Sequence, residues 1–290
     1  GPLTEPKTVV IPRGTNIRDI AVLLEKNDAI SNAYLFRIAA HFMANNDFKA
    51  GEYLFTPPQS AADIILMLRE GRSVVHAFTV TEGMTSAEAV RLLQDTPALA
   101  GAISAAPPEG SLLPETYNYS LNDTRSGLIA RMQKAMQETR EELWAKRDPL
   151  VPITTPAEAI TMASIVEKET GKPSERPRIA GVFYNRLHLN MRLQSDPTVI
   201  YAIVRAKGLL DHDIDHTDLS FASPFNTYMT DGLPPAPICN PGRAAIEAAL
   251  HPEKNDYLYF VADGTGGHVF ARDLPEHNQN VTRWHQVRPK

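Results

Sequence analysis

One predicted helix, between Thr155 and Thr170, constrains this chain more than any other segment. It begins with a capping box, in which Pro156 follows the Thr155 cap and Glu158 lies three residues after it. The helix continues through a nearly uninterrupted apolar run and stops at Gly171. A helix that is apolar on almost all sides is typical of a buried position. The sequence therefore predicts a helix in the core of the fold.

This core helix carries two glutamates near its carboxyl end, Glu167 and Glu169. At about 100° per residue their side chains leave the helix roughly 200° apart, on opposite faces. Burial disfavours the charged form of a carboxylic acid, and an acid that stays protonated at neutral pH can act as a general acid. The competing interpretation is a structural carboxylate paired with an arginine. Four arginines follow closely in the sequence: Arg176, Arg178, Arg186 and Arg192.

Composition excludes several classes of protein. The chain has 290 residues, of which 43% are hydrophobic and 22% charged, and this is ample for one large or two modest domains. The net charge of −5, without a long basic run, argues against a nucleic-acid partner. Cys239 is the single cysteine of the sequence, so an intrachain disulfide is impossible and a cysteine-based zinc site lacks ligands.

The beginning of the chain looks processed. Gly1, Pro2 and Leu3 have the form of a protease-cleavage scar, with no initiator methionine. No stretch approaches the ~18 consecutive apolar residues of a membrane span. We therefore expect that the natural protein has a further segment before Thr4, and the sequence leaves open whether that segment is a membrane anchor.

Hydrophobic periodicity predicts helices mixed with short strands in both the first and the second part of the chain. In the first part, short strands near residues 9–11 and 51–55 accompany three amphipathic helices. The second part has a long polar helix over about 124–147, the core helix, several shorter helices and a β-hairpin around residues 257–270. Asp196, directly before a proline, is predicted to cap one of these helices.

A polar segment, residues 211–216, invites a metal interpretation because His212 and His216 lie four residues apart with aspartates between them. The glutamate of a zinc-binding His-Glu-x-x-His motif is missing, however, and no apolar periodicity places the segment on a buried helix. The sequence therefore favours a polar surface loop here. It predicts no metal and no cofactor.

Eight motifs in sequence order resemble the endolytic murein transglycosylases, the MltG or YceG-like family. They are ASIVEKET (163–170), NRL (185–187), MRLQSDPTVIY (191–201), SPFNTY (223–228), GLPP (232–235), NPG (240–242), YLYFV (257–261) and GHVF (267–270). The resemblance extends over nearly the whole chain from about residue 8. Several long motifs in a fixed order are a specific signal.

The resemblance implies an α+β protein with a small LysM-like amino-terminal module over residues 4–75 and a mixed α/β YceG-like catalytic domain over residues 76–290. The catalytic domain is expected to have short sheets and a buried catalytic helix. The sequence allows a module boundary anywhere from about 72 to 105. Family members are bacterial and are anchored in the cytoplasmic membrane by one amino-terminal helix, with the catalytic part on the periplasmic side. The implied partners are peptidoglycan glycan strands and peptidoglycan synthases, the penicillin-binding proteins.

The family cleaves the β-1,4 bond after N-acetylmuramic acid and leaves a 1,6-anhydro end. On this resemblance its catalytic glutamate falls at Glu167. Side chains that suit a sugar cleft, by hydrogen bonding or by stacking, are predicted to bind substrate. With the polar and charged neighbours in the same motifs, they are Glu115, Ser164, Glu169, Asn185, Arg186, Gln194, Ser195, Asp196, Tyr201, Asn226, Thr227, Tyr228 and Tyr259.

Three functions remain to be distinguished. A lytic transglycosylase needs a single acid, because the 6-hydroxyl of the muramic residue itself attacks the anomeric carbon and no water is activated. A hydrolytic muramidase needs a second carboxylate. Glu169 points away from Glu167 on a regular helix, but the sequence leaves Glu115 open as a distant second acid. A non-catalytic peptidoglycan-binding scaffold is the third alternative.

Overall fold

The computed structural model describes residues 2–44, 47–121 and 123–287. Within these ranges the chain forms ten α-helices and three two-stranded sheets. The helices are α1 (Ile17–Lys26), α2 (Ala33–Ala44), α3 (Ala61–Glu70), α4 (Ser86–Asp95), α5 (Arg125–Ala145), α6 (Pro156–Glu169), α7 (Arg176–His188), α8 (Asp196–Lys207), α9 (Arg243–Leu250) and α10 (Leu274–Val287). The strands are β1 (Lys7–Ile11), β2 (Gly51–Phe55), β3 (His76–Thr79), β4 (Thr116–Tyr119), β5 (Tyr259–Ala262) and β6 (His268–Ala271). The predicted mixture of helices with short sheets is confirmed.

The chain divides into two compact units. The first comprises residues 1–78, 95–102 and 117–128, and the second comprises residues 79–94, 103–116 and 129–290. In the first unit β1 and β2 pair antiparallel, and they share one hydrophobic core with α1, α2 and α3. The first unit thus contains the whole predicted amino-terminal module together with two later segments. Its likeness to LysM stays a prediction.

Helix α6 forms the centre of the second unit, as its composition predicts. Every residue from Ala159 to Val166 is buried, and the helix packs against α7, α8 and α9. The predicted capping box is present: the Glu158 N–H donates to the Thr155 hydroxyl at 3.2 Å, and the Thr155 N–H donates to the Glu158 carboxylate at 3.0 Å. The Thr155 cap therefore fixes where the core helix begins.

The start of α8 differs from the prediction. Ser195 occupies the N-cap position and makes no side-chain capping hydrogen bond, and Asp196 is already the first residue of the helix. The predicted capping role of Asp196 is therefore wrong, and its carboxylate is available for another contact. Among the described residues no helix is long and apolar enough to cross a membrane.

Candidate active site

The two glutamates of α6 lie in different environments, as their helical spacing predicts. Oε1 of Glu167 is 2.9 Å from a guanidinium nitrogen of Arg176, which also approaches Glu82 at 3.2 Å. The Gly242 N–H donates to the other Glu167 oxygen at 2.9 Å. Burial raises the pKa of Glu167, whereas the Gly242 hydrogen bond and the Arg176 charge lower it. With only 4% of its side chain exposed, Glu167 is held inside an ion pair.

Glu169 lies instead in a cavity of about 350 Å³ within the second unit. The cavity is formed where the carboxyl end of α6 meets α7, α8, β5, α10 and the loop that contains Tyr228. Its lining combines charged, amide, aromatic and aliphatic side chains: Glu169, Arg186, Leu193, Gln194, Asp196, Tyr228, Tyr259, Phe260, Leu274 and His277.

The Glu169 carboxyl group is the strongly perturbed acid of this cavity. Burial raises its pKa to about 7, and the nearby negative charge of Asp196 acts in the same direction. The Ser195 hydroxyl, which donates to Oε1 of Glu169 at 2.5 Å, and the positive charge of Arg186 both lower the pKa. A carboxyl group with a pKa near 7 can both give and take a proton at neutral pH.

Arg186 joins the segment before α8 to the residue that precedes strand β5. Its Nε donates to the Leu258 carbonyl at 2.6 Å, and one terminal nitrogen donates to the carbonyls of Arg192 and Leu193 and to the side-chain oxygen of Gln194. Only 7% of Arg186 is exposed, and its guanidinium lies 5.0 Å from the centre of the Tyr259 ring. All of these acceptors are uncharged oxygens. The positive charge of Arg186 is therefore not neutralised by an ion pair and can act on groups in the cavity.

The backbone at Gln194 is strained. Its φ is 51°, in the left-handed region that residues with a side chain rarely adopt. The Gln194 N–H donates to the Thr227 carbonyl at 3.1 Å, and the Ser195 N–H donates to the Thr227 hydroxyl at 3.0 Å. These two hydrogen bonds hold the backbone in this conformation, in which Gln194 lines the cavity. Such strain is a feature of functional sites.

Aromatic rings form the sides of the cavity. The Tyr228 hydroxyl donates to Oδ1 of Asp196 at 2.5 Å. Tyr259 stacks on His277, with ring centroids 5.1 Å apart and an interplanar angle of 25°. Burial and the Arg186 charge lower the pKa of His277, which favours its neutral imidazole. Flat aromatic faces beside hydrogen-bonding groups are well suited to sugar rings.

A family model described as the YceG-like family matches residues 9–283. The chain belongs to the YceG-like family.

Relatives of this YceG-like protein include a Bacillus subtilis protein named endolytic murein transglycosylase. It is 32% identical over 315 residues, which is 95% of this chain and 84% of that protein. A protein of the same name from Streptococcus pneumoniae D39 is 32% identical over 94% of this chain but only 57% of its own length. The crystal structure of a yceG-like protein from Listeria monocytogenes has 34% sequence identity and a TM-score of 0.58, over 95% of this chain and 99% of that one.

The residues predicted for a YceG-like site divide into two groups. Glu169, Arg186, Gln194, Asp196, Tyr228 and Tyr259 line the cavity, and Ser195 contacts Glu169. Ser164, Asn226 and Thr227 are completely buried and hydrogen bond within the protein. The Asn185 amide donates to the carbonyls of Asn255 and Tyr257. Tyr201 lies beside Glu109 and Phe225.

Four cavity residues escaped the sequence analysis: Leu193, Phe260, Leu274 and His277. Leu193 and Phe260 lie inside quoted motifs but are apolar, and apolar residues alone give no functional signal. His277 lies on a polar terminal helix, where no local pattern distinguishes it from a solvent-exposed residue. Glu115 is exposed and does not belong to the lining, so the structure does not bring this acid to Glu169.

The segment around His212 is a polar surface loop. His212 lies 3.0 Å from the Asp218 carboxylate, and Asp215 accepts backbone hydrogen bonds from Thr217 and Asp218. The ligand atoms of His212, Asp215 and Asp218 lie within 4.8 Å of one another. Acidic groups on an exposed loop commonly adopt such an arrangement without a metal, and the loop carries no functional assignment here.

Proposed function

We propose that this protein is a peptidoglycan lytic transglycosylase and that Glu169 is its general acid and base. One observation carries the proposal: a carboxyl group with a pKa near 7 lies in a cavity whose walls are tyrosines and hydrogen-bonding side chains. The named relatives, the endolytic murein transglycosylases, supply the substrate class. The finer details, namely cleavage after N-acetylmuramic acid and the 1,6-anhydro end, follow from the family resemblance.

In this proposal Glu169 takes the role that the family resemblance places at Glu167. A proton donor must reach the leaving oxygen, and Glu167 has 4% exposure and both carboxylate oxygens engaged by Arg176 and Gly242. This environment supports the structural alternative for Glu167, a carboxylate that pairs with one of the arginines following the helix. The pKa of Glu167 is raised too, chiefly by burial, but Glu169, two residues later on the opposite face, lies in the cavity and has the pKa near 7 that the reaction requires.

The proposed reaction uses Glu169 twice. Protonated Glu169 gives its proton to the glycosidic oxygen as the bond from that oxygen to the anomeric carbon breaks. The resulting carboxylate then accepts the proton of the muramic 6-hydroxyl as this oxygen bonds to the same carbon. Because the nucleophile belongs to the substrate, its fixed position replaces an activated water. Proton balance is restored at the end of the cycle.

The neighbours of Glu169 have separate tasks in this scheme. The Ser195 hydroxyl orients the carboxyl group through its 2.5 Å hydrogen bond. The positive charge of Arg186 favours the carboxylate that forms after proton donation. Gln194, Tyr228 and Tyr259 are proposed to hold the sugar rings. Glycan strands are the partner that follows, while synthase partners and a membrane anchor rest on the resemblance alone.

Two variants test the assignment on isolated peptidoglycan. Glu169→Gln should reduce strand cleavage by about 100-fold or more, the range of a general acid–base contribution. Glu167→Gln should still cleave but unfold at a lower temperature, because it leaves Arg176 without its buried partner. If Glu167→Gln does not fold, Glu82→Gln is the substitute, since Glu82 is the more exposed member of the same ion-pair group, at 46%.

Mass spectrometry of the products distinguishes the alternatives. Anhydro ends, lighter by one water than reducing ends, support the lytic reaction, and reducing ends would replace it by a hydrolytic muramidase. Unchanged cleavage by Glu169→Gln would refute the role of Glu169. Absence of cleavage by the parent protein, with strand binding retained, would favour a peptidoglycan-binding scaffold.

A further inference from the structure

Asp196 brings a carboxylate to the cavity of Glu169 from the first turn of α8. It is the first residue of α8, where Ser195 holds the cap position, and no side-chain cap is formed. Its side chain is exposed and lines the cavity of Glu169. Within the part of the chain that the structure describes, the Asp196 carboxylate accepts one hydrogen bond, from Tyr228, and no lysine or arginine lies within ion-pair distance of it. A negative charge therefore faces the cavity without an ion-pair partner of its own.

The surroundings keep this carboxylate in place. The Tyr228 N–H donates to the side chain of Asn226 at 2.9 Å, and the Tyr228 carbonyl accepts from Arg192 at 2.9 Å. The ring of Tyr228 is thus anchored at its backbone while its hydroxyl donates to Asp196. A carboxylate oriented by a fixed donor can stabilise an opposite charge without reorganisation, and this is the basis of electrostatic catalysis.

We propose that Asp196 is a second catalytic carboxylate, which stabilises the positive charge that develops on the sugar ring as the glycosidic bond breaks. This inference rests on the proposed lytic transglycosylase activity. Heterolysis leaves positive charge on the anomeric carbon and the ring oxygen, while the bonding electrons leave with the oxygen that Glu169 protonates. Asp196 transfers no proton and forms no bond. Its charge acts until the 6-hydroxyl closes the anhydro ring.

The same charge also acts on Glu169. The groups that face Glu169 are Arg186 on α7, Ser195 and Asp196 at the start of α8, and Tyr228 in its loop, with Tyr259 and His277 on the other wall of the cavity. The negative charge of Asp196 raises the pKa of Glu169, and the positive charge of Arg186 lowers it. Asp196 therefore favours the protonated acid before the reaction and stabilises the cation during it.

Asp196→Asn is the decisive variant, because asparagine keeps the shape and can still accept the Tyr228 hydrogen bond. We expect kcat for strand cleavage to fall by about 100-fold, the size of a lost electrostatic stabiliser. The pKa of Glu169 should fall as well, so the decline of kcat with rising pH should begin at lower pH than in the parent protein. The thermal midpoint should stay within about 1 °C, and Asp196→Glu should restore part of kcat by returning the charge.

Three comparisons make the outcome unambiguous. Glu169→Gln is measured beside Asp196→Asn: if Glu169→Gln cleaves normally, the proposed function fails and the inference with it. If Glu169→Gln is inactive while Asp196→Asn has the parent kcat and pH profile, only the inference fails. A fall in kcat that is equal in Asp196→Asn and Asp196→Glu, with an unchanged pH profile, would also overturn it, because it would mean that shape and not charge is required.

Discussion

At the scale of single residues, Glu169 links the stability of the fold to pH. Its pKa is raised from 4.5 to about 7, so the folded state binds this proton more tightly than the unfolded state. The contribution of protonated Glu169 is complete below pH 4.5 and is lost as pH rises toward 7. Within that window the free energy of unfolding should decrease by up to about 1.4 kcal/mol per pH unit because of this one group.

Glu169→Gln should remove this dependence. The difference in free energy of unfolding between the variant and the parent protein should change in favour of the variant as pH rises from about 4.5 to about 7. Above about pH 7 this difference should stay constant. Urea unfolding at four pH values across the window measures the difference. Glu138→Gln on α5, at an exposed position, is the control and should track the parent protein. If the curves for Glu169→Gln and the parent were parallel, Glu169 would not be protonated in the folded state.

The choice between Glu167 and Glu169 shows what a sequence can reveal at this scale. Helical spacing correctly predicts that the two side chains are on opposite faces of a buried helix. Which face meets a cavity depends on residues far away: Gly242 and Glu82 surround Glu167, while Asp196 approaches Glu169. No local pattern contains that information, because the environment of each acid is assembled by tertiary packing.

At the scale of elements, helix α7 contains a glycine that alanine cannot replace without a steric clash, although alanine is the better helix former. Gly181 lies in the interior of α7, and a Cβ built there would be 2.4 Å from the Glu253 carbonyl oxygen. An alanine normally stabilises a helix by about 1 kcal/mol relative to glycine. Here the backbone after α9 passes too close, and the clash involves a main-chain atom that cannot rotate away.

Gly181→Ala should therefore destabilise the protein, by about 1–3 kcal/mol, as overpacking does. The control is Gly171→Ala, where a Cβ meets no atom within 4 Å, and its effect should be under about 0.5 kcal/mol. Chemical denaturation gives both values. A stabilised Gly181→Ala would show that the segment near Glu253 shifts to accept the methyl group.

Element positions were largely accessible from the sequence, and the error at the start of α8 has a tertiary cause. The capping box at Thr155 correctly marked the start of the core helix, because this signal depends on nearby backbone groups. The start of α8 was misplaced by one residue. Both Ser195 and Asp196 can occupy a cap, and the choice followed from contacts of the Ser195 hydroxyl and N–H with Glu169 and Thr227.

At the scale of the whole molecule, the two compact units have separate hydrophobic cores. Leu24, completely buried, belongs to the core that β1 and β2 share with the first three helices. Ile246, equally buried on α9, belongs to the core around α6. Removing a large buried side chain costs about 2–5 kcal/mol, chiefly in the core from which it is removed.

Two matched variants test whether these cores unfold separately. Leu24→Ala should lower the melting transition of the first unit and leave strand cleavage at 25 °C close to that of the parent, because every residue of the Glu169 cavity lies in the second unit. Ile246→Ala should lower the melting temperature of the second unit, so this variant should lose cleavage activity at a lower temperature than the parent protein. Calorimetry combined with a cleavage assay across temperature measures both effects. A single transition that both variants shift equally would mean that the two cores unfold cooperatively, and the stability of the site would then depend on the whole chain.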